Sequence, residues 1–235
     1  MNSLRLVFIL VVLELSLMQG VYADSNPVDK VYHPLVVANE RKVEWRFVAR
    51  ELEDKNYLAQ RLAYGQAITE RLIVEAYLSG ERDQSDDYGL KGYEIELRYM
   101  LTEQGQYWAD WGLLLEFEKQ HDSDTYEITT GVLFEKEFVH TSLTINALLI
   151  YEWGQNLDNE MESEFRLQYR YRYMPEIQPA IEIYTGEDFI GIGPALMGMH
   201  RFERIHQLKW ELAFINGFNG EKYDETLRFV LEYDF

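Results

Sequence analysis

Three of the side chains between residues 140 and 146 could carry hydrolytic chemistry. His140, Ser142 and Asn146 occur at even spacing in the stretch HTSLTIN, and a serine activated by a histidine can attack an ester. Even spacing in a β-strand places them on one face. We expect that face to be polar and inward, away from any lipid, and a nucleophile also needs an oriented base in hydrogen-bond reach. A lipid hydrolase is therefore only a minor alternative, and we predict no catalytic residue.

A second group offers metal ligands. Met197 and Met199 have the soft thioether sulfur that Cu(I) prefers, but His200 would lie on the opposite strand face. Acidic segments at 81–88 and 119–125 could bind Ca²⁺ or Mg²⁺ weakly, although their spacing is not that of a dedicated calcium loop. The sequence therefore predicts no dedicated metal site and no cofactor.

The largest candidate set is ionic and alternates with apolar residues. In ESEFRLQYRYRY (162–173), Phe165 and Leu167 alternate with Arg166 and Gln168, so one strand face is apolar and the other ionic or polar. If the apolar face meets lipid, the ionic face lines an interior. The predicted interior residues are Arg46, Arg50, Glu94, Glu96, Arg98, Glu116, Glu118, Glu152, Glu164, Arg166, Arg170, Arg172, Glu182, Arg228 and Glu232.

The same period of two recurs along most of the chain and fits no helix. Val, Ile, Tyr, Phe and Trp are abundant in these segments and favour strands. We predict twelve strands, near 42–51, 58–68, 72–81, 89–101, 107–119, 125–135, 139–153, 161–173, 177–186, 191–201, 207–216 and 225–235.

Charge and targeting signals narrow the class of protein. The formal net charge of −19 argues against binding nucleic acid, and the absence of cysteine excludes a disulfide framework. Residues 1–23 read as a secretory signal peptide with Arg5 before an apolar run and cleavage between Ala23 and Asp24. We expect residues 24–41 to form a periplasmic lead-in or partial plug, and 42–235 to form a single domain.

The connections between the predicted strands also form a pattern. Short turns alternate with longer acidic loops, such as those at 119–125 and 154–160. An even number of antiparallel strands places both chain ends on one side, which we expect to be periplasmic. This is the plan of an all-β, closed antiparallel transmembrane barrel of about twelve strands, with ten or fourteen as alternatives.

The chain ends in LRFVLEYDF, an alternating strand whose apolar face includes Tyr233 and Phe235. Residues 24–235 resemble a small outer-membrane β-barrel of a Gram-negative bacterium. The stretch from Ile192, IGPALMGMHRFERIHQLKWELAFINGFNGEKYDETLRFVLEYDF, resembles the closing strands of a proteobacterial barrel family of unassigned activity. The resemblance implies that Tyr233 and Phe235 form a signal read by the barrel-assembly machinery, and that outer-membrane lipid and lipopolysaccharide surround the protein.

These features favour a narrow passive pore with a charged lumen for small polar or ionic solutes. A non-conducting structural or envelope-interaction barrel is the alternative, and an outer-membrane lipid hydrolase is a minor one. The sequence does not decide between cationic and anionic solutes. If the barrel is closed, the first strand pairs with the last, and we predict that Arg46 and Glu232 face the lumen there within salt-bridge or one-water reach of each other.

Overall fold

The computed structural model of this protein describes residues 28–52, 55–82, 88–155, 159–186, 189–202, 206–219 and 222–235. The predicted signal peptide, with Ala23 and Asp24, lies outside the described residues, and so do the acidic residues of the segment 83–87. Within the described ranges there is no helix long and apolar enough to cross a membrane.

Twelve strands form the fold, which confirms the predicted number over the alternatives of ten and fourteen. Their positions follow the alternation of apolar and polar residues in the sequence. The strands are β1 (Arg41–Leu52), β2 (Lys55–Ala67), β3 (Leu72–Arg82), β4 (Tyr88–Met100), β5 (Asp110–Gln120), β6 (Thr125–Glu137), β7 (Thr141–Gly154), β8 (Glu160–Tyr171), β9 (Gln178–Thr185), β10 (Ile190–Arg201), β11 (Gln207–Asn219) and β12 (Lys222–Asp234).

Each strand pairs antiparallel with the next, and β1 pairs with β12, so the sheet closes into a barrel. Closure leaves no strand edge unpaired, which a barrel in lipid requires because no water is there to satisfy backbone groups. The end of the barrel at which β1 begins and β12 ends is called here the proximal end, and the opposite one the distal end.

The side chains alternate between two different environments. Outward-facing residues are large and apolar, and Trp45, Leu62 and Phe165 are among those exposed on the outer surface. Inward-facing residues such as Glu44 and Arg46 are charged and about 1% exposed. The fold therefore has an apolar exterior and an ionic interior, as in transmembrane barrels.

Two details of the strand prediction were wrong. The fifth strand begins at Asp110 and not at residue 107, because Tyr107 and Trp108 belong to the connection 101–109 at the proximal end. The predicted difference between short turns and long loops is absent, since strands extend into the segments read as loops and β11 and β12 leave only residues 220–221 between them. Charged strand ends that reach beyond a membrane look like loops in sequence.

The two residues of the predicted pair at the closing seam are displaced by two positions in register. β1 and β12 do pair, but Glu232 lies opposite Glu44, and Arg46 lies opposite Val230. Glu232 is bound instead by lysines, among them Lys42 at 3.2 Å and Lys209 at 2.7 Å. The ammonium groups of Lys30, Lys42 and Lys209 already balance the charge of Glu232, so Glu232 does not need Arg46 as a partner.

Residues 28–40 precede β1 and run through the barrel interior. Val28 and Val31 pack with Tyr184, Phe189 and other residues of the β9–β11 wall. Tyr32 packs on the opposite wall, with Leu114, Leu133 and Leu148. Val36 reaches the proximal end of β2–β4. The segment therefore crosses the lumen from one wall to the other; residues 28–40 are called the luminal segment below.

Candidate functional site in the barrel lumen

The inward-facing charges near the proximal end form a continuous chain of ion pairs. Glu75 accepts from Lys42 at 2.6 Å and from Arg98 at 2.9 Å. Lys42 also contacts Glu232, which Lys209 and the luminal Lys30 contact as well. All of these groups except Lys209 are nearly completely buried, and such buried ions need good partners to offset the cost of leaving water.

Asp29 is the centre of a second group of contacts, near the middle of the lumen. Its carboxylate pairs with Arg46, and lies 3.4 Å from Arg166 Nη1 and 3.7 Å from Arg61 Nη1. Its backbone carbonyl accepts from Arg228. Burial alone would raise the pKa of Asp29, but the three arginines outweigh it and lower the pKa below the ordinary value. Asp29 is therefore held as a carboxylate between three strands.

Two further residues hold the luminal segment to the wall. The Tyr32 backbone N–H donates to Asn146 Oδ1 at 2.7 Å, and Asn146 Nδ2 donates back to the Tyr32 carbonyl at 2.8 Å. His33 Nδ1 lies 3.1 Å from Glu135 Oε2. The Asn146 bonds and the Arg228 bond to the Asp29 carbonyl satisfy backbone groups that would otherwise be buried without partners.

The luminal segment leaves one cavity on each side of it. The distal cavity, about 220 Å³, is lined by Asp29 and by wall residues that include Arg61, Glu116 and Glu152. The proximal cavity, about 360 Å³, is lined by Lys30, His33 and wall residues such as Arg172. The interior is thus divided into two chambers with residues 28–40 between them.

The two cavities differ in charge. The distal cavity is lined by eight carboxylates and four lysines or arginines. The proximal cavity is lined by five carboxylates and six lysines or arginines. A surplus of carboxylates in a confined chamber raises the local concentration of cations.

The predicted interior residues all lie on the inward side of the wall, and they fall into three groups. Arg98, Arg170, Arg172 and Glu232 lie around the proximal cavity, and Arg172 stands just beyond the end of β8. Glu182 and Arg228 pair with each other at 2.9 Å, and Arg50 pairs with Asp224. The remaining members line or adjoin the distal cavity: Arg46, Glu94, Glu96, Glu116, Glu118, Glu152, Glu164 and Arg166.

The three residues considered for hydrolysis do not form a catalytic arrangement with one another. Ser142 Oγ accepts from Arg170 Nε at 3.1 Å, and His140 lies exposed in the connection before β7. Asn146 binds the backbone of Tyr32. Of the residues considered as ligands for Cu(I), Met197 is buried and faces inward, whereas His200 faces outward and packs against the ring of Phe202.

The interior includes residues that were not among the predicted site residues, and four of them bear directly on the luminal contacts. Lys42 and Arg61 lie on inward positions of β1 and β2, and the alternation with Trp45 and Leu62 could have identified both. Asp29 and Lys30 precede the strands, and no local pattern distinguishes them from an ordinary polar lead-in. Their role depends on the path of the luminal segment.

A closed antiparallel barrel with an apolar outer surface and an ionic interior defines the architectural class of outer-membrane β-barrels. Solved structures with the same fold support this class. One is the KdgM porin in complex with a disordered oligogalacturonate (TM-score 0.57, 10% identity), where the match covers 83% of this chain and 99% of the porin. Another is the COG4313 outer membrane channel from Pseudomonas putida F1 (TM-score 0.57, 13% identity), with 88% and 98% covered.

The β domain of the Bordetella autotransporter BrkA is also similar (TM-score 0.52, 11% identity), with 84% of this chain and 99% of that domain covered. At these identities the likeness establishes the fold alone. No known protein-family profile matches the sequence, and no curated protein matches it.

Proposed function

We propose that this protein is a narrow, non-catalytic channel of the outer membrane, closed at rest by its own luminal segment. The observation that carries the proposal is the pair of charged cavities with residues 28–40, and the wall side chains packed against them, between the two. Lipid and lipopolysaccharide would surround the apolar exterior. The similar solved structures include a porin and a channel, which is compatible with the proposal.

The solutes we propose are small cations or cationic polar molecules. The distal cavity has twice as many carboxylates as basic groups, so a cation that enters it is attracted and an anion is repelled. Arg166 and Arg46 do not reverse this preference, because their charges are paired with Glu164 and Glu44.

A reversible lock tests whether the luminal segment closes the channel. A Cβ atom placed on Gly112 would lie 3.0 Å from the Cβ atom of Pro34, so a Pro34→Cys, Gly112→Cys double variant can form a disulfide after a small shift. The chain contains no other cysteine. In planar bilayers we expect brief channel openings after reduction and none after oxidation.

The two single-cysteine variants, treated with the same oxidant, are the controls, and they should keep the reduced behaviour. Ion selectivity is measured from the reversal potential in a KCl gradient, which should show preference for K⁺. Equal currents in the locked and reduced forms would show that residues 28–40 do not close the pathway. A complete absence of current in every form, including the reduced one, would favour the non-conducting envelope barrel.

A further inference from the structure

We infer that the wall of the distal cavity holds a calcium-binding site formed by Glu94, Glu96 and Glu116, with the hydroxyl of Tyr32 as a fourth oxygen. One carboxylate oxygen from each of the three glutamates lies within 4.8 Å of the others. Opposite ligands around a calcium ion are about 4.6–5.2 Å apart, because Ca²⁺–O distances are about 2.3–2.6 Å. The three oxygens are therefore close enough to share one ion.

The strand register brings the three glutamates together. Glu96 on β4 lies directly opposite Glu116 on β5. Glu94 is two residues before Glu96 on the same strand, so its side chain points to the same face. Like charges directly opposite each other destabilise a sheet, so this arrangement calls for a compensating positive charge.

Each of the three carboxylates has one buried oxygen without a hydrogen-bond partner, Oε1 in every case. The other oxygen of Glu94 accepts from Arg61 at 3.0 Å, and that of Glu96 accepts from the Tyr77 hydroxyl at 3.0 Å. These outer partners fix the orientation of the two carboxylates, which is the usual arrangement around a metal ligand. Ten buried side-chain atoms of the described residues lack a partner, but these three belong to carboxylates of a single cluster, an arrangement that one shared cation would satisfy.

Tyr32 provides an independent observation from a different part of the fold. The side chain comes from the luminal segment and is 1% exposed, and its hydroxyl lies within reach of Glu116 without a well-aligned hydrogen bond. Its ring packs against Leu114, which lies two residues before Glu116 on the same inward face of β5. The hydroxyl therefore lies beside the carboxylates, where its oxygen can complete the site.

The proximal end contains a second group of three carboxylates, which serves as an internal comparison. Glu40, Glu232 and Asp234 meet the same distance criterion, but there the ammonium group of Lys209 lies 2.7–3.6 Å from one oxygen of each. No described lysine or arginine forms an ion pair with Glu96 or Glu116. A lysine therefore supplies the positive charge to the proximal group, and we assign that role to a calcium ion at the distal one.

Calcium fits the ligand set better than magnesium. Three carboxylates and a hydroxyl are hard oxygen ligands, and Ca²⁺ accepts six to eight oxygens in flexible geometry. Magnesium usually keeps several waters and takes only one or two carboxylates. The adjoining cavity of about 220 Å³ has room for the waters that would complete the calcium shell. Bound calcium would join the luminal segment, through Tyr32, to β4 and β5.

Terbium luminescence and calcium titration of the purified full-length protein in detergent test the site. Tb³⁺ replaces Ca²⁺ at oxygen sites, and excitation of the nearby Tyr32 and Tyr77 rings should sensitise its emission. We expect one saturable site from which calcium displaces terbium. Glu96→Gln should weaken calcium affinity by at least about tenfold, and Tyr32→Phe should weaken it while leaving the barrel folded.

Glu152→Gln is the matched control, because Glu152 lines the same cavity outside the cluster and the variant loses the same charge. It should change affinity by less than about twofold, well below the tenfold effect of a lost ligand. Heat-modifiable migration in electrophoresis confirms that each variant is folded. Equal affinity for Glu96→Gln and wild type would place the calcium on the acidic loops and overturn the inference. A lack of saturable binding would also overturn the inference. If Glu96→Gln is then also more stable than wild type, the three carboxyl groups hold protons in place of a metal.

Discussion

Asp29→Asn is the most direct perturbation of the closed state. The substitution keeps the size of the side chain and removes the charge that faces Arg46, Arg61 and Arg166. Breaking one side of a buried ion pair costs about 3–5 kcal/mol. We take the lower end, about 3 kcal/mol, because Asp29 is 13% exposed and Arg61 is 30% exposed, which screens part of the interaction.

This cost applies to the state in which the luminal segment lies across the barrel. Since 1.4 kcal/mol corresponds to a factor of ten in an equilibrium, 3 kcal/mol shifts the balance toward the displaced segment by about 100-fold. A channel that is open about 0.1% of the time would then be open about 10% of the time, which is within the range of two-state population shifts.

Single-channel recording in planar bilayers measures the open probability directly. The matched control is Asp122→Asn, which removes the same charge from a side chain that is 90% exposed and lies 3.8 Å from His121. We expect the control to behave as wild type. An unchanged open probability in Asp29→Asn, or an equal increase in both variants, would refute the view that Asp29 holds the segment in place.

Three other predictions follow from the same structure. Leu115→Arg places a charge on the outer face of β5 and should destabilise the inserted barrel by about 2–4 kcal/mol in urea unfolding from lipid vesicles, whereas Leu115→Phe should be nearly neutral. Gly193→Ala should cost about 1–3 kcal/mol in the same assay, because a Cβ atom there would lie 1.8 Å from the carbonyl oxygen of Phe214; Gly89→Ala, with open space around it, should not. The pKa of Asp29 is lowered in the folded protein, so its stabilising charge is complete above about pH 4 and is lost only as the pH falls further. The difference in open probability between wild type and Asp29→Asn should therefore be constant between about pH 7 and pH 5 and shrink in stronger acid; a difference that already disappears near pH 6 would contradict this assignment.

The strands were predictable because their signal is local. Phe165, Leu167 and Tyr169 alternate with polar residues, and a strand converts that order directly into two faces, whatever its neighbours are. Charged strand ends gave no such signal. For this reason the predicted loops at 154–160 and at 119–125 were too long, and the expected difference in loop length between the two ends of the barrel was wrong.

The pairing of particular side chains was not predictable, because it depends on register between strands. Arg46 and Glu232 were each correctly expected to face inward, yet a displacement of two residues separates them along the seam. The same reasoning applies to the glutamate cluster. The sequence places Glu94 and Glu96 on one face, but only the pairing of β4 with β5 brings Glu116 beside them.

By itself, the sequence indicated a barrel of about twelve strands, with ten or fourteen also possible, and with an apolar outside and a charged inside. Only the tertiary structure decided what occupies that inside. Residues 28–40 have no repeating pattern, and their path is fixed by contacts that Asp29 makes with Arg46 and Arg166 and that Tyr32 makes with Asn146, across as many as 137 positions of the chain. A period of two is a property of each strand alone, whereas the position of a segment inside a closed barrel depends on all the walls that surround it.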